Sequence, residues 1–312
     1  MKEENDVVGS DPERAAARGA GAGPGPELAQ DGAGVELRPR LAVCTWSLRP
    51  RSVRELVDSV RATGLDAVQL ALEPIRTGAM SLEEVRDGLG AAGIRILSGM
   101  MQTVGEDYST LESIRRTGGV VPDETWEANQ VVAEECARIA AALGITLVTF
   151  HAGFIPHDAA DPRRGVLTER IRHVARVFAG RGVRVALETG QETADTLAEL
   201  LTDLGDTGVG VNFDPANMIL YGMGEPVQAL RRLAPWVRQV HIKDAIASER
   251  PGEWGTEVPV GEGDVDWAAF FATLREAGLR VDLVIEREAG DRRVEDVRRA
   301  REVIARHVDV AD

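Results

Sequence analysis

Eight short apolar runs alternate with longer amphipathic stretches along this chain. Each run has the length of a strand and carries few polar residues, which is typical of parallel strands that are covered on both faces. The runs are RLAVCTWSL (40–48), DAVQLAL (66–72), IRILSGMM (94–101), ITLVTFHAG (145–153), VRVALETG (183–190), VGVNFDPA (209–216), VRQVHIKDA (237–245) and VDLVIERE (281–288). They predict a parallel sheet buried beneath helices.

The stretches between the runs carry apolar residues at spacings of three and four, the helical period. Several of them end in glycine just before the next run, a common stop signal for a helix. Eight strands that alternate with eight helices over about 270 residues predict an α/β protein with a (β/α)8 TIM barrel. A doubly wound sheet is the alternative, but no Gly-rich phosphate-binding turn follows the first run.

The domain organisation follows from where these patterns begin. Residues 1–36 are rich in Gly, Ala, Pro and charge, so we predict a disordered N-terminal tail there. Residues 37–312 then form a single TIM barrel domain. Two connections are long, from about residue 102 to 123 and from about residue 246 to 264, and both follow the carboxyl ends of predicted strands. Barrels build their active sites on that face, so both connections are predicted functional loops.

Charge and cysteine content exclude several function classes. The chain carries 36 Lys and Arg against 51 Asp and Glu, a formal net charge of −15. Nucleic acids and anionic membranes favour basic surfaces, so neither is an expected partner. Two widely separated cysteines make no disulfide framework, and the sequence has neither a secretory apolar segment nor a run of about 18 apolar residues. We therefore expect a cytoplasmic protein.

Four successive strands of the predicted barrel end in a residue that can bind a metal ion. Glu188 ends the fifth strand, Asp214 the sixth, His241 the seventh and Glu286 the eighth. Parallel strands end on one rim, so these side chains can converge, and three close carboxylates need a positive charge between them. The set suits Mn²⁺, Mg²⁺ or Co²⁺, with Zn²⁺ as a further alternative. Taken singly, each residue is equally explained by a solvent-facing or hydrogen-bonded position.

Further polar and aromatic residues follow the strands on the same rim. His151 ends the fourth strand, where it either contacts a ligand hydroxyl or is a hydrogen-bonded structural histidine. Lys243 lies two residues after His241 and points the same way, either to a ligand oxygen or to a surface ion pair. Weaker candidates for substrate binding are Trp46, Glu73, Gln102, Trp254 and Glu262. Of these, Trp254 can close over the pocket, and the Gly-Glu-Gly segment around Glu262 is either a pocket contact or a flexible turn.

Five motifs in the C-terminal half make the chain similar to a known family. They lie between Arg184 and Gly290 and read ALETGQE, NFDPANM, VHIKD, VPVGEGDVDW and VIEREAG. Through them the chain resembles the sugar phosphate isomerase/epimerase group of the xylose-isomerase-like TIM barrels, over nearly everything after residue 36. Within that superfamily it is most similar to ketose 3-epimerases and inosose-processing enzymes.

This resemblance implies a metal-dependent sugar isomerase or epimerase. In the family a Glu-Asp-His-Glu quartet holds one divalent ion, commonly Mn²⁺, and it corresponds here to Glu188, Asp214, His241 and Glu286. The two glutamates are also the family's proton-transfer pair, so the resemblance implies that Glu188 and Glu286 are catalytic. The expected partner is a small-molecule sugar or cyclitol, and a homo-oligomer is left open.

Two departures from the family pattern bear on the activity. The superfamily includes DNA-repair endonucleases with three zinc ions, but Asn217 stands where such an enzyme needs another histidine, and three of the five histidines lie off the rim. Ketose epimerases carry an arginine shortly after the histidine ligand, whereas this chain has Lys243 sooner and Arg250 later. The endonuclease activity is therefore disfavoured, and the shifted basic residues leave open a substrate that differs from that of the ketose epimerases.

The expected chemistry is proton transfer next to the carbonyl of a ketose, inosose or related polyhydroxy ketone, through an enediolate. The alternative is a metal-dependent lyase, which uses the same site for dehydration or β-elimination on a keto-sugar or keto-glycoside. No Arg or Lys cluster and no Gly-rich helix start mark a phosphate site, so we expect an unphosphorylated substrate.

Overall fold

The computed structural model describes residues 39–250 and 252–309 of the chain, and within them eight of ten strands close into one parallel barrel. The barrel strands are β1 (Leu41–Cys44), β2 (Ala67–Ala71), β3 (Arg95–Met100), β4 (Leu147–Phe150), β5 (Arg184–Glu188), β6 (Gly210–Phe213), β7 (Val237–Ile242) and β10 (Asp282–Ile285). Each pairs with the next along the chain, and β10 pairs with β1 to close the ring. The predicted TIM barrel is confirmed.

Helices connect the strands and cover the outside of the barrel. They are α1 (Val53–Thr63), α2 (Glu73–Arg76), α3 (Leu82–Ala92), α4 (Leu111–Thr117), α5 (Asp123–Ala142), α6 (Pro162–Ala179), α7 (Ala194–Leu204), α8 (Pro215–Leu220), α9 (Pro226–Leu233), α10 (Trp267–Glu276) and α11 (Arg293–Ala305). The last helix, α11, packs against α1 and so closes the outer layer. Of the helices described, α2, α4 and α8 are short additions to the eight predicted, and none is long and apolar enough to cross a membrane.

Alternate residues of a barrel strand belong to two different cores. On β1, Leu41 and Val43 pack into the large core between barrel and helices, whereas Ala42 and Cys44 belong to a small separate cluster. Successive strand residues point to opposite faces, so the small cluster lies on the barrel axis. This alternation decides which strand residues reach the inside of the barrel, at whose carboxyl end the candidate site lies.

Both long connections carry secondary structure that the apolar pattern did not predict. The first contains α4, and the second contains an antiparallel hairpin of β8 (Asp244–Ile246) and β9 (Thr256–Val258). The buried Asp244 carboxylate fixes the hairpin, because it accepts hydrogen bonds from the backbone N–H of Gly261 (2.8 Å) and the indole N–H of Trp267 (2.9 Å). A Cβ on Gly263 would lie 2.1 Å from an Asp244 oxygen, so this close approach requires glycine.

The tail predicted for residues 1–36 lies outside the described residues. The first barrel strand begins at Leu41, close to the predicted start of the domain at residue 37. The predicted division into tail and barrel domain therefore stays a prediction.

Candidate metal centre and its cavity

The four side chains proposed as metal ligands come together at the carboxyl end of the barrel. Glu188 ends β5, Asp214 follows β6, His241 lies in β7 and Glu286 follows β10. One potential ligand atom of each lies within 4.8 Å of one such atom of every other. All four side chains are buried. The four strands are consecutive in the ring, so the convergence follows from the barrel topology.

The period of the strands explains why these side chains point inwards. Each candidate ligand is next to an apolar residue that packs outwards against the helices; these neighbours are Leu187, Phe213, Ile242 and Ile285. Because successive strand residues point to opposite faces, each ligand points to the barrel axis. Asp214 is further constrained, since it is the N-cap of α8 and its Oδ1 accepts from the backbone N–H of Ala216 (2.8 Å) and Asn217 (3.1 Å). Pro215 therefore begins a helix that Asp214 caps.

The hydrogen bonds of His241 determine which ring nitrogen faces the other ligands. Its Nε2 lies 2.7 Å from Oε1 of Gln69, an acceptor, so Nε2 carries a proton and donates. Its Nδ1 lies 3.4 Å from a Glu188 oxygen, 3.4 Å from a Glu286 oxygen and 3.7 Å from Asp214 Oδ2. Nδ1 is therefore the nitrogen that is available to a metal ion among the three carboxylates.

Two amide side chains of the barrel strands also point at this cluster. Gln69 in β2 and Asn212 in β6 each lie between two residues that pack outwards against the helices, so alternation directs both amides to the barrel axis. Asn212 Nδ2 lies 3.0 Å from His241 Nε2 and 3.1 Å from Glu188 Oε2. Because Nε2 already donates to Gln69, the Asn212 amide donates to Glu188. The sequence analysis did not propose either amide, although a polar residue inside an apolar run was the available signal.

A divalent cation fits this cluster. Asp214 Oδ2 and His241 Nδ1 are buried, and neither has a hydrogen-bond partner among the residues that the structure describes. A buried polar atom without a partner costs on the order of 1–3 kcal/mol. An ion that takes both oxygen and nitrogen ligands would satisfy the two atoms together and offset the repulsion among the three carboxylates.

Burial and neighbouring charges act in opposite directions on the ligands. Burial would raise the pKa of Glu188 and of Glu286, but neighbouring groups lower both, namely His241 and then His151 at Glu188, and Lys243 and then His241 at Glu286. Burial prevails at Asp214, so the pKa of that carboxyl is raised even though Lys243 opposes the shift. At His241 the surrounding carboxylates outweigh burial and raise its pKa well above the usual range. A proton on Nδ1 therefore competes with a metal ion for the cluster.

Trp46 and Lys243 fix the carboxylate of Glu286. The indole N–H of Trp46 donates to Oε1 (2.6 Å), and Lys243 Nζ donates to Oε2 (3.0 Å). Lys243 also donates to Glu288 Oε2 (2.7 Å). Burial lowers the pKa of Lys243, but the two glutamates outweigh it and raise that pKa well above the usual range. Lys243 is therefore ion-paired, but the pair is buried beside the cluster rather than on the surface, and its contact with a substrate stays a prediction.

A cavity of about 530 Å³ opens above the cluster on the carboxyl face of the barrel. Six residues proposed from the sequence as substrate contacts line it: Trp46, Glu73, Gln102, His151, Lys243 and Trp254. His151 Nε2 lies 3.6 Å from a Glu188 oxygen, so it borders the metal cluster as well. The carboxylate of Glu73 is already held by Arg76, at 2.7 and 2.8 Å. Glu73 therefore forms part of the wall as an ion pair.

The second long connection brings Trp254 to the cavity. Its ring meets the ring of Tyr221 edge to face, with centroids 4.7 Å apart. The next residue, Gly255, donates its N–H to the carbonyl of Leu220 (3.1 Å), and a Cβ there would lie 2.7 Å from the carbonyl oxygen of Ile246. Glycine at this position lets the loop approach α8 closely, which seats Trp254 against the cavity wall.

Glu262 does not reach this cavity. Its exposed carboxylate pairs with Arg299 on α11, outside the barrel. The cause is the turn before it, because Gly261 has a φ of 88° and its N–H is held by Asp244. Of the two readings of the Gly-Glu-Gly segment, the structure favours the turn.

Several residues around the cavity were not proposed from the sequence. Glu106, Glu288 and both tyrosines of the chain, Tyr108 and Tyr221, line it. Glu192 is buried beneath them, where burial raises its pKa to about 7 although the backbone N–H of Gly190 and His151 oppose the shift. All of these lie in connections rather than in strands, where no periodicity marks the direction of a side chain.

The sequence matches a family model described as xylose isomerase-like TIM barrel over residues 57–307. The solved structure of a xylose isomerase domain protein from Planctomyces limnophilus is 33% identical, with a TM-score of 0.76, over 86% of this chain and 96% of that one. Among curated proteins, the uncharacterized protein YihM of Escherichia coli (strain K12) is 26% identical over 167 residues, 52% of this chain and 50% of that protein. The chain thus aligns with about half the length of this curated relative.

Two more distant solved structures share the fold. One is a xylose isomerase-like TIM barrel protein from Mycobacterium smegmatis in complex with magnesium, 19% identical with a TM-score of 0.66, over 87% of this chain and 97% of that one. The other is D-allulose 3-epimerase from Methylomonas sp. in complex with D-allulose, 16% identical with a TM-score of 0.66, over 88% of this chain and 100% of that one.

Proposed function

This chain belongs to the xylose isomerase-like TIM barrel family, and on that premise we propose that it is a divalent-metal-dependent sugar isomerase or epimerase. Its substrate is a ketose, an inosose or a related polyhydroxy ketone. The D-allulose 3-epimerase of the same fold supports the choice of reaction class, and the magnesium-bound relative supports a divalent ion.

One observation carries this proposal. Glu188, Asp214, His241 and Glu286 form one buried cluster, in which an aspartate oxygen and a histidine nitrogen have no hydrogen-bond partner within the described part of the chain. These four residues would hold the ion, with Mn²⁺ as our choice because oxygen ligands outnumber the single nitrogen. When bound, the ion supplies a Lewis acid that makes the C–H next to a substrate carbonyl more acidic.

The proton is moved by the two glutamates. Both carboxyl pKa values are lowered, so each glutamate is ionised and able to act as a base near neutral pH. One removes the proton next to the carbonyl, and the other returns a proton to the opposite face or to the neighbouring carbon. Lys243, 3.0 Å from Glu286, orients that carboxylate and keeps it ionised. His151, beside Glu188, is placed to hold a substrate hydroxyl.

The charges around the cavity favour an uncharged substrate. Among the described residues that line it, Lys243 is the only Lys or Arg, and Glu286 and Glu288 already pair with it. Glu106 adds a further negative group to the wall. A phosphate would meet these carboxylates without a free cation, so an unphosphorylated sugar fits better.

The proposal is tested with full-length protein loaded with Mn²⁺ and a panel of ketoses in D₂O. We expect deuterium at the carbon next to the carbonyl of product and recovered substrate, measured by NMR. Glu188→Gln and Glu286→Gln should each lower this exchange by at least about 10²-fold, the lower range for general acid–base catalysis. Glu262→Gln is the matched control, because its carboxylate lies outside the cavity and exchange should remain at the wild-type rate.

Two results would count against this assignment. Exchange that persists in both glutamate variants places the base elsewhere, and absence of exchange with every ketose rejects the reaction class. The product mass separates the two chemistries, because isomerisation and epimerisation conserve it. Loss of water or of an aglycone identifies the lyase instead.

A further inference from the structure

A second cleft adjoins the cavity above the metal cluster. It has a volume of about 490 Å³ and shares Leu220 and Tyr221 with that cavity as a common wall. Each space alone lies in the size range of small-molecule sites, which is about 300–1,000 Å³. The two spaces together can therefore hold a ligand with two parts. We call the second space the outer groove.

The walls of the outer groove are largely apolar. Leu111, Phe154, Ile219, Met223 and Ala247 line it. The ring of Phe154 is half-buried, and the guanidinium of Arg115 lies over it at 4.0 Å from the ring centroid. Apolar side chains gathered in a surface groove, rather than scattered, mark a binding site.

The charges at the rim of the outer groove balance. Arg115 and Arg250 are matched by Glu112 and Glu253, and Arg250 pairs with Glu253 at 3.5 Å. An ionic occupant would meet no excess of opposite charge there. An uncharged apolar or aromatic group is the occupant that gains most, because it removes the apolar walls from water without losing ion pairs.

Three segments that line the outer groove directly follow residues of the site. Phe154 lies three residues after His151, Ile219 and Met223 follow Asp214, and Ala247 follows Lys243. Tyr221 lines both spaces, and its ring packs against Trp254, which lines the cavity. A group in the groove would thus be held next to a sugar ring in the cavity.

On this basis we propose that the substrate is a keto-sugar that carries an apolar or aromatic substituent, as in a glycoside. The sugar ring occupies the cavity and the substituent occupies the outer groove. This inference rests on the proposed function for the part of the substrate that reacts. It adds the class of the substituent, which the metal cluster does not determine.

The test compares methyl and phenyl β-glycosides of D-glucose, D-galactose and D-xylose as unreactive probes. Their affinity for the full-length, Mn²⁺-loaded protein is measured by isothermal titration calorimetry. For at least one sugar, we expect the phenyl glycoside to bind about tenfold or more tightly than the methyl glycoside, because its ring is removed from water. Phe154→Ala removes an aromatic wall of the groove, and Ala247→Trp fills the groove. Each variant should reduce the ratio of phenyl to methyl glycoside affinity to near one while the methyl glycoside keeps its affinity.

Val166→Ala is the matched control, since Val166 is an exposed apolar residue on α6 away from the groove, and it should keep the phenyl preference. Equal binding of the two glycosides for every sugar, or no binding of either, overturns the proposal. So does a phenyl preference that survives Ala247→Trp. Binding is measured without turnover, so the two proposals fail separately. A phenyl preference with no deuterium exchange would reject the proposed function and keep the groove as a binding site. Deuterium exchange without a phenyl preference would keep the proposed function and reject the groove.

Discussion

At the scale of single residues, Asp214 combines two roles in one carboxylate. Its Oδ1 caps α8 through two backbone N–H groups, and its Oδ2 faces the cluster with no hydrogen-bond partner in residues 39–250 and 252–309. The cap fixes the direction of the side chain, so the second oxygen is held in place before any ion binds. A rigid ligand of this kind loses little conformational entropy on binding.

Asp214→Asn separates these roles. Asparagine is as good an N-cap as aspartate, so we expect the fold to persist, whereas the loss of the negative charge should weaken metal binding by at least about tenfold. Metal content after dialysis, measured by plasma mass spectrometry, checks the outcome. Asp266→Asn is the control, because Asp266 is an exposed N-cap on α10 and should leave the metal content unchanged. Full metal content in Asp214→Asn would show that the cluster is not the metal site.

Glu192 couples the stability of the protein to pH. Burial raises its pKa to about 7 from 4.5, although Gly190 N–H, His151 and local backbone groups favour the ionised form. As pH rises from 4.5 to 7, the unfolded chain releases the Glu192 proton whereas the folded chain keeps it, so the unfolded state is stabilised relative to the folded state. The free energy of unfolding should therefore fall by about 3 kcal/mol across this window through Glu192 alone, and stay lower above pH 7.

Glu192→Gln removes this dependence because an amide does not ionise. From pH 4.5 to pH 7, the wild type should therefore lose stability relative to the variant, so the free energy of unfolding of the variant minus that of the wild type should increase. Urea unfolding at a series of pH values measures it. Glu84→Gln, an exposed carboxylate in the first turn of α3, should show no such trend. A difference that is constant with pH would mean that Glu192 ionises normally in the folded protein.

At the scale of elements, the hairpin of β8 and β9 is linked to the strand end that carries Glu286. Glu257 in β9 accepts from Arg287 Nη1 (2.8 Å) and from the backbone N–H of Glu288 (2.8 Å) and Ala289 (3.2 Å). Arg287 is buried and also donates to Asp296 of α11 (2.9 Å). The hairpin thus fixes the chain that immediately follows the proposed base.

Glu257→Gln should loosen this link, because the amide has one acceptor oxygen in place of two and leaves Arg287 with Asp296 as its one remaining carboxylate partner among the described residues. We expect kcat for deuterium exchange to fall by about 10- to 100-fold with the metal content retained, as for residues that position a metal ligand. Glu249→Gln, which changes an exposed carboxylate in the same connection away from both cavities, should behave as wild type. An unchanged kcat in Glu257→Gln would mean that the hairpin does not position Glu286.

At the scale of the whole molecule, the barrel was predictable because its strands are apolar on both faces and its helices have clear periods. The convergence of Glu188, Asp214, His241 and Glu286 was predictable too, since parallel strands end on one rim. The partner of His241 was not, because Gln69 lies 172 residues away in sequence. Alternation places Gln69 inside the barrel, but no local pattern shows that β2 and β7 bring these two side chains together across it.

The connections limited the prediction in a different way. Trp254 reaches the cavity and Glu262 does not, although the same loop carries both. Their directions depend on how Asp244 gathers backbone N–H groups across the hairpin, and such a contact has no sequence period. Side chains on strands follow from alternation, whereas side chains on loops follow from tertiary hydrogen bonds.

The four candidate ligands lie in one half of the barrel, whereas two side chains that hold them lie in the other half, and this arrangement bears on when the metal site forms. Every ligand comes from β5, β6, β7 or β10, whereas the acceptor for His241 comes from β2 and the indole that holds Glu286 follows β1. A C-terminal half-barrel would contain all the ligand atoms but would lack Gln69, which holds His241, and Trp46, which holds one oxygen of Glu286. Tight binding of the ion should therefore require that β1 has already paired with β10. The cation would then stabilise the closed barrel after it has formed and would not nucleate its folding.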